Sequence, residues 1–202
     1  SRAWAAAAAA LPRPQAVLCV SAHWETHGTR VTADAQPRTI HDFSGFPAEL
    51  YSIRYGAPGS PALARLVQET LADVSVQADT SWGLDHGAWS VLRRMFPDAD
   101  VPVVQLSLDA TQPPAHHYAL GQALRPLRGR GVLIIGSGNM VHNLRLVRWY
   151  DGAYRWASEM DAVFARLIAD GDHKALVDYA ALGENARLAV PTNEHFLPLL
   201  YA

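Results

Sequence analysis

Cysteine is almost absent from this sequence: Cys19 is the single one among 202 residues. No internal disulfide can form, which excludes the small disulfide-stapled secreted folds. Cys19 lies inside the apolar run that begins at Val17, so it reads as a packed core thiol rather than a nucleophile, and a reducing cytoplasm is the expected compartment. Long hydrophobic runs are missing as well. No segment approaches the roughly 20 apolar residues that cross a bilayer, and Ala5 to Ala10 lacks the length and basic leader of a signal peptide. Nor does one sign of charge dominate. Lys and Arg number 17 against 19 Asp and Glu, a formal net charge of -2, which gives no electrostatic pull toward nucleic acid or an anionic membrane.

The compact signatures of several chemistries are also lacking. "GSGN" at Gly136 to Asn139 follows an apolar run as a phosphate-binding turn would, but Val141 stands where G-x-G-x-x-G requires its third glycine. There is no Walker lysine motif and no G-x-S-x-G elbow, so Ser137 has none of the context of a nucleophile.

What is present fits one soluble domain. Half of the residues are hydrophobic and 18% are charged, and the length suits a single core. Helix-favouring Ala3 to Ala10 stops at "LPRP", where proline removes an amide donor. Apolar or β-branched runs predict strands at Ala16 to Val20, Thr29 to Asp34, "VSVQAD", Val101 to Leu108 and "GVLIIGSGN". Helical spacing marks Pro61 to Leu71, a helix starting near Ala88, Pro113 to Leu127, Tyr154 to Ile168 and Lys174 to Ala180, with a further helix start at Pro191 and Thr192. Arg38 to Pro61, rich in Gly, Pro and aromatics, reads as an ordered loop with one helical turn. The expected fold is α/β: a single domain with a mixed central sheet flanked by helices and an active site at the carboxyl ends of strands.

Nine histidines are the main chemical signal. His116 and His117 fall on an outward helix face, His173 on a solvated turn and His27 in a loop, so these four are assigned to the surface; His41 in "TIHDF" is left open. His23, His86, His142 and His195 each fall at an element end, where an α/β sheet gathers ligands. Neutral imidazole binds zinc or ferrous iron, and a mononuclear site needs about three protein ligands. Trp24, Phe43, Phe46 and Trp89 are candidates for an aromatic pocket wall.

Five blocks carry a family resemblance: "LPRPQAVLCVSAHWETHGTRVTA", "TIHDFSGFPAELYSIRYGAPGSPALA", "WGLDHGAWSVLRRMFPDADVPVVQLSLD", "GSGNMVHNL" and "PTNEHFLPLLY". From about Leu11 to Ala202 the chain resembles the class III extradiol ring-cleavage dioxygenases, in their DOPA-dioxygenase-like branch. The resemblance implies nonheme Fe(II), with Zn(II) an alternative occupant, and a small catechol substrate opened with O2. It places metal ligation on His23 and His195 and gives His142 the role of acid/base or additional ligand. It also places His86 near the substrate, where it orients substrate or stabilises charge. Nucleic acid and membrane are not expected as partners, and oligomeric state is not addressed.

The family usually opens with an "HGSP"-like block bearing another ligand histidine and continues past "LPLLY". The expectation is therefore a single catalytic domain over residues 1–202 that lacks its N-terminal strand and C-terminal segment, because a sheet without its first strand leaves a long edge unpaired. Two further readings stand beside the dioxygenase: a zinc-dependent hydrolase and a noncatalytic binding protein of the same fold.

Overall fold

Alternation along the first apolar run decides how the molecule is layered. In a computed structural model, which describes residues 2–202, helix α1 (Arg2–Ala9) leads into strand β1 (Ala16–Thr26). The chain continues through β2 (Arg30–Thr32), the single turn α2 (Ala48–Tyr51), α3 (Pro61–Thr70), β3 (Gln77–Asp79), α4 (His86–Met95) and β4 (Val103–Asp109). Then come α5 (Pro114–Leu124), β5 (Val132–Ser137), α6 (Arg155–Asp170), α7 (His173–Val177) and α8 (Glu184–Ala189), and a 3-10 turn at Leu197–Tyr201 closes the described chain.

The five strands form one sheet in the order β3-β2-β4-β1-β5. β1 runs parallel to both β4 and β5, β2 runs parallel to β3, and β2 meets β4 antiparallel. The sheet is thus mixed and flanked by helices, as expected. Successive strand residues point to opposite faces. Leu18 and Val20 pack with Val67 of α3, Leu124 of α5 and Phe164 of α6, whereas Val17 and Cys19 pack with Trp89 and Leu92 of α4. Because both faces are covered, β1 begins as a continuous apolar run and β4 is buried along its whole length, the pattern of a strand with no wet side. Among the described residues no helix is long and apolar enough to cross a membrane.

Local chemistry sets the helix limits. Ser60 caps α3 by accepting from Leu63 N–H, with Pro61 at the first helical position, where its missing amide costs nothing. α6 stops at Gly171, which takes a left-handed φ of 66° that an L side chain resists. α4 begins at His86 rather than near Ala88, because the Asp85 side chain accepts from Ala88 N–H and caps the earlier start. The short α8 was not expected; at six residues it presents too few turns for a period to show, and its stability comes from packing.

One surface assignment is corrected. His117 is fully buried, and its Nδ1 lies 2.8 Å from the Tyr201 hydroxyl. It sits on the inner face of α5 with Leu120, Gly121 and Leu124, and Gly121 lets the closing turn come so near that a Cβ there would stand 2.8 Å from Tyr201 Cα. His116 is half-buried, while His27 and His173 are exposed as expected. His41 is structural: its Nε2 lies 3.0 Å from the Ile53 carbonyl oxygen.

Burial, aided by the field of His116, pushes the His117 pKa down to about 4, against about 6.5 in an unfolded chain. Between those values the unfolded chain holds the extra proton, so stability is complete above pH 6.5 and declines as pH falls toward 4. The gap corresponds to a loss of up to about 3 kcal/mol. Urea unfolding at pH 7.5 and 4.5 should show a smaller acid loss in His117→Gln than in the parent protein; equal losses would contradict this account.

Candidate metal and substrate site

Four histidines from separate stretches of chain meet beside β1. His23 lies within the strand, not at its end as expected. From Val20 to Glu25 the β1 backbone advances five residues while its β4 partner moves only from Leu106 to Leu108, so Ser21 to Trp24 bulge out of the ladder. His23 shares the strand face of Val17, Cys19 and Ser21, the face that packs on α4, and it meets the start of that helix with the His23 and His86 ring centroids 3.9 Å apart.

His86 is carried by the cap of α4. Asp85, fully buried, accepts from Ser21 Oγ–H at 2.7 Å and Ala88 N–H at 3.0 Å on one oxygen, and from Gln105 Nε2–H at 2.7 Å on the other. Its own N–H donates to Gln105 Oε1 at 3.2 Å. These bonds tie α4 to β1 and β4 at once. Gly87 permits the close approach: a Cβ there would stand 2.5 Å from Ser21 Oγ and 2.8 Å from His23 Cδ2. Ser137 Oγ–H donates to the Gly87 carbonyl at 2.7 Å, which gives that serine a structural role.

His142 and His195 are brought in by the loop after β5. Asn139 N–H donates to the His195 carbonyl and His142 N–H to the Ala189 carbonyl, both at 2.8 Å. Their rings stack with centroids 3.5 Å apart and planes 15° off parallel, and His195 meets His23 edge-on at 5.0 Å. The imidazoles therefore form a row: His86, His23, His195, His142.

Asp42 completes the group and was missed. Its Oδ1 accepts from the His86 backbone N–H and its Oδ2 pairs with His86 Nδ1, each at 2.8 Å; His23 Nδ1 lies 3.7 Å from the same Oδ2. Donor atoms of His23, Asp42 and His86 all fall within 4.8 Å of one another. Nothing local marks Asp42, which stands in an aperiodic loop. The loop is fixed from outside, by Leu84 N–H to the Arg38 carbonyl, Ile40 N–H to the Leu84 carbonyl, and Trp89 Nε1–H to the Ile40 carbonyl at 2.8 Å. Asp85 had a signal, an aspartate just ahead of a helix start.

Electrostatics favour neutral rings. Burial, then the fields of His142, His23 and His86, lowers the His195 pKa to about 3. Burial also lowers His142, and burial with the neighbouring His86 lowers His23 against the pull of Asp85 and Asp42. At neutral pH each of these three rings offers a lone pair, the form that binds a metal. Burial opposes the charge of Asp42, but its hydrogen bonds from His86 outweigh that and hold the carboxyl below its usual range. Several neutral imidazoles with one anionic carboxylate suit a divalent first-row metal.

A cavity of about 250 Å³ adjoins His86, with Phe43, Phe46 and Trp89 in its wall. Trp24 is not part of it; it is buried and stacked on Trp82 at 5.6 Å. A larger cavity of about 580 Å³, between α5 and the closing turn, touches none of the four clustered histidines. Cys19 packs beneath the site, and burial, with the field of Asp85, pushes its thiol far up, as befits an inert core residue.

Comparisons with known proteins place the chain among relatives. The family described as the catalytic LigB subunit of aromatic ring-opening dioxygenase matches residues 1–202. A protein of Escherichia coli K12 named 4,5-DOPA dioxygenase extradiol is 49% identical over 207 residues, covering 100% of this chain and 76% of its own length. One of the same name from Beta vulgaris is 45% identical, covering 93% of this chain and 71% of its own. The crystal structure of an uncharacterized Escherichia coli K12 protein superposes with a TM-score of 0.82 at 43% identity, covering 99% of this chain and 79% of that one.

The tight fit at Gly87 is testable. Gly87→Ala should lower stability by about 1–3 kcal/mol through overpacking and weaken Zn(II) binding by displacing His23. Gly129→Ala, where a Cβ meets nothing within 4 Å, serves as control. Thermal unfolding and zinc titration report the two effects; a Gly87 variant indistinguishable from the control would refute the constraint.

Proposed function

The chain belongs to the LigB family of aromatic ring-opening dioxygenases, and on that premise we propose that its histidine row holds the metal and moves the protons of extradiol catechol cleavage. The activity is that of an extradiol ring-opening dioxygenase, as in the relatives named for it. Family membership does not favour the hydrolase or the noncatalytic reading. The substrate proposed is a catechol of the DOPA kind, the compound for which those relatives are named.

His23 and His195 are the proposed protein ligands. The observation that carries this is their shared cluster, 5.0 Å between ring centroids, with both rings held neutral by burial. Asp42 lies near enough to be a ligand, but both of its oxygens accept from His86. A carboxylate so engaged fixes the orientation of its histidine; Asp42 is therefore assigned to His86. Fe(II) is the proposed native ion over Zn(II), because when bound it supplies the redox chemistry that joins a catechol to O2, which redox-inert zinc lacks.

The residues of the chain supply the rest. His142 is the proposed acid/base: its lowered pKa leaves it unprotonated at neutral pH, ready to take a catechol hydroxyl proton and return it later. A role as third ligand is its alternative. His86, oriented by Asp42, faces the aromatic cavity and is positioned to hold the ring by hydrogen bonding. Both atoms of O2 end in the product, and the ring bond beside the diol pair opens to a semialdehyde. A cytoplasmic location belongs to the same proposal, on the ground of the single buried free thiol.

Anaerobic loading with Fe(II), followed by a catechol and air, should give oxygen uptake and a yellow ring-opened chromophore; loading with Zn(II) should give neither. His23→Ala and His195→Ala should each lose bound metal. His142→Ala should keep it and lose turnover by about 100-fold or more. Asp42→Asn should keep metal with slower turnover, and loss of metal from this last variant would return Asp42 to the ligand set.

A further inference from the structure

The cavity between α5 and the closing turn has a wall of two kinds. Its apolar part is Ile168 of α6, Leu176 of α7, and Leu199 and Leu200 of the closing turn, with Ile168 43% exposed. Its charged part comes from the end of α5, where Arg125 and Arg128 border the same space. At about 580 Å³ it lies within the roughly 300–1,000 Å³ of small-molecule sites, which join apolar walls to a few placed polar groups.

Local structure sets the two arginines on one side. α5 passes into a 3-10 turn over Arg125–Arg130, and at three residues per turn the side chains of Arg125 and Arg128 eclipse while Arg130 falls elsewhere. A helix end favours cations through its dipole, which accounts for their sign and not for their shared place over an apolar groove. Among the described residues the side chains paired with Asp or Glu are Arg13, Arg30, Arg155, Lys174 and two histidines. Arg125 and Arg128 have no acidic partner. A row of hydrogen bonds adds to them: Gln122 Nε2–H donates to the Tyr118 hydroxyl, which lies 2.9 Å from His173 Nδ1, and all three residues line the cavity. A hydroxyl that accepts from Gln122 has its own proton to give to Nδ1, which puts the imidazole N–H on Nε2. The row thus ends on a donor.

We propose that this cavity is a second small-molecule site, separate from the histidine row, and that it takes an organic anion: an apolar or aromatic body carrying one carboxylate, sulfonate or phosphate head. The two guanidiniums give the head charge-assisted hydrogen bonds, His173 Nε2–H supplies a further donor, and the body covers Ile168 and the leucines, taking their apolar surface out of water. None of the four clustered histidines borders the cavity, so the inference stands apart from the ring-opening reading.

The test uses the full product of the gene, because Ala202 also borders the cavity. The probes are 8-anilinonaphthalene-1-sulfonate and N-phenyl-1-naphthylamine, the same body without the sulfonate, each titrated by its fluorescence. Ile168→Trp fills the groove from an exposed position, so the part of each signal that it removes belongs to this cavity. Arg125 and Arg128 are both exposed, and the Arg125→Gln, Arg128→Gln double variant should weaken the groove-bound sulfonate by about 10-fold or more while leaving the neutral probe within about twofold. Equal losses of both probes would overturn the proposal by showing an apolar groove alone, as would a sulfonate affinity that the double variant leaves unchanged. A parent protein with no groove-bound signal overturns it as well, and assigns the cavity to a segment of protein instead of a ligand.

Discussion

Asp85 is fully buried where α4 meets the sheet, and the placement of His23 and His86 depends on its bonds. One oxygen holds Ser21 of β1 and the first turn of α4, the other holds Gln105 of β4, and Gln105 is fixed in turn by its N–H bond to Thr32 Oγ1 at 2.8 Å. A buried carboxyl group is costly unless its lone pairs are used; here three donors use them. The result is a helix start that cannot slide along the sheet without stranding several polar groups. His86 follows Asp85 directly, and His23 lies two residues past Ser21, so both rings inherit their positions from this one residue.

The histidine row adds a second constraint of a different kind. Burial lowers the pKa of His23, His142 and His195, and at His23 and His195 the fields of neighbouring imidazoles add to it, so the fold that brings the rings together keeps three of them neutral. Asp42 is engaged by His86 through both backbone and ring. The His86 end of the row is thus tied to a fixed carboxylate, while the His142 end lies in a loop after β5. An asymmetric site of this sort can orient a substrate at one end and exchange protons at the other.

Much of this was legible in the sequence for stated physical reasons. The apolar runs of β1, β4 and β5 announce strands covered on both faces, and His86, His142 and His195 stand out because each lies at or beside the end of a regular element; His23 was read at a strand end and lies inside β1. Three features were hidden. Asp42 lies in a loop shaped by distant partners, notably the Leu84 backbone and Trp89, so no local pattern points to it. The β1 bulge is a mismatch between two strands and is invisible in either one alone. His117 was assigned to the surface because its neighbours are polar, whereas its burial follows from the closing turn, which Gly121 admits and Tyr201 completes.

The two faces of the sheet divide the work between them. The face bearing Leu18, Val20 and Phe164 is a continuous apolar core, and the opposite face is apolar only as far as Cys19 before β1 leaves its ladder with β4. Pairing with β4 is lost between Val20 and Glu25, yet the period of two continues: Ala22 and Trp24 stay buried while His23 is partly open and Glu25 exposed. The irregularity is sustained because Ser21 is held by Asp85 on one side and stays in register with Ser137 of β5 on the other. Local disorder of the ladder and tight polar fixation of its flanks are thus two parts of one device. The strand supplies rigidity up to Ser21, and the same strand face presents the imidazole of His23 to the rest of the row.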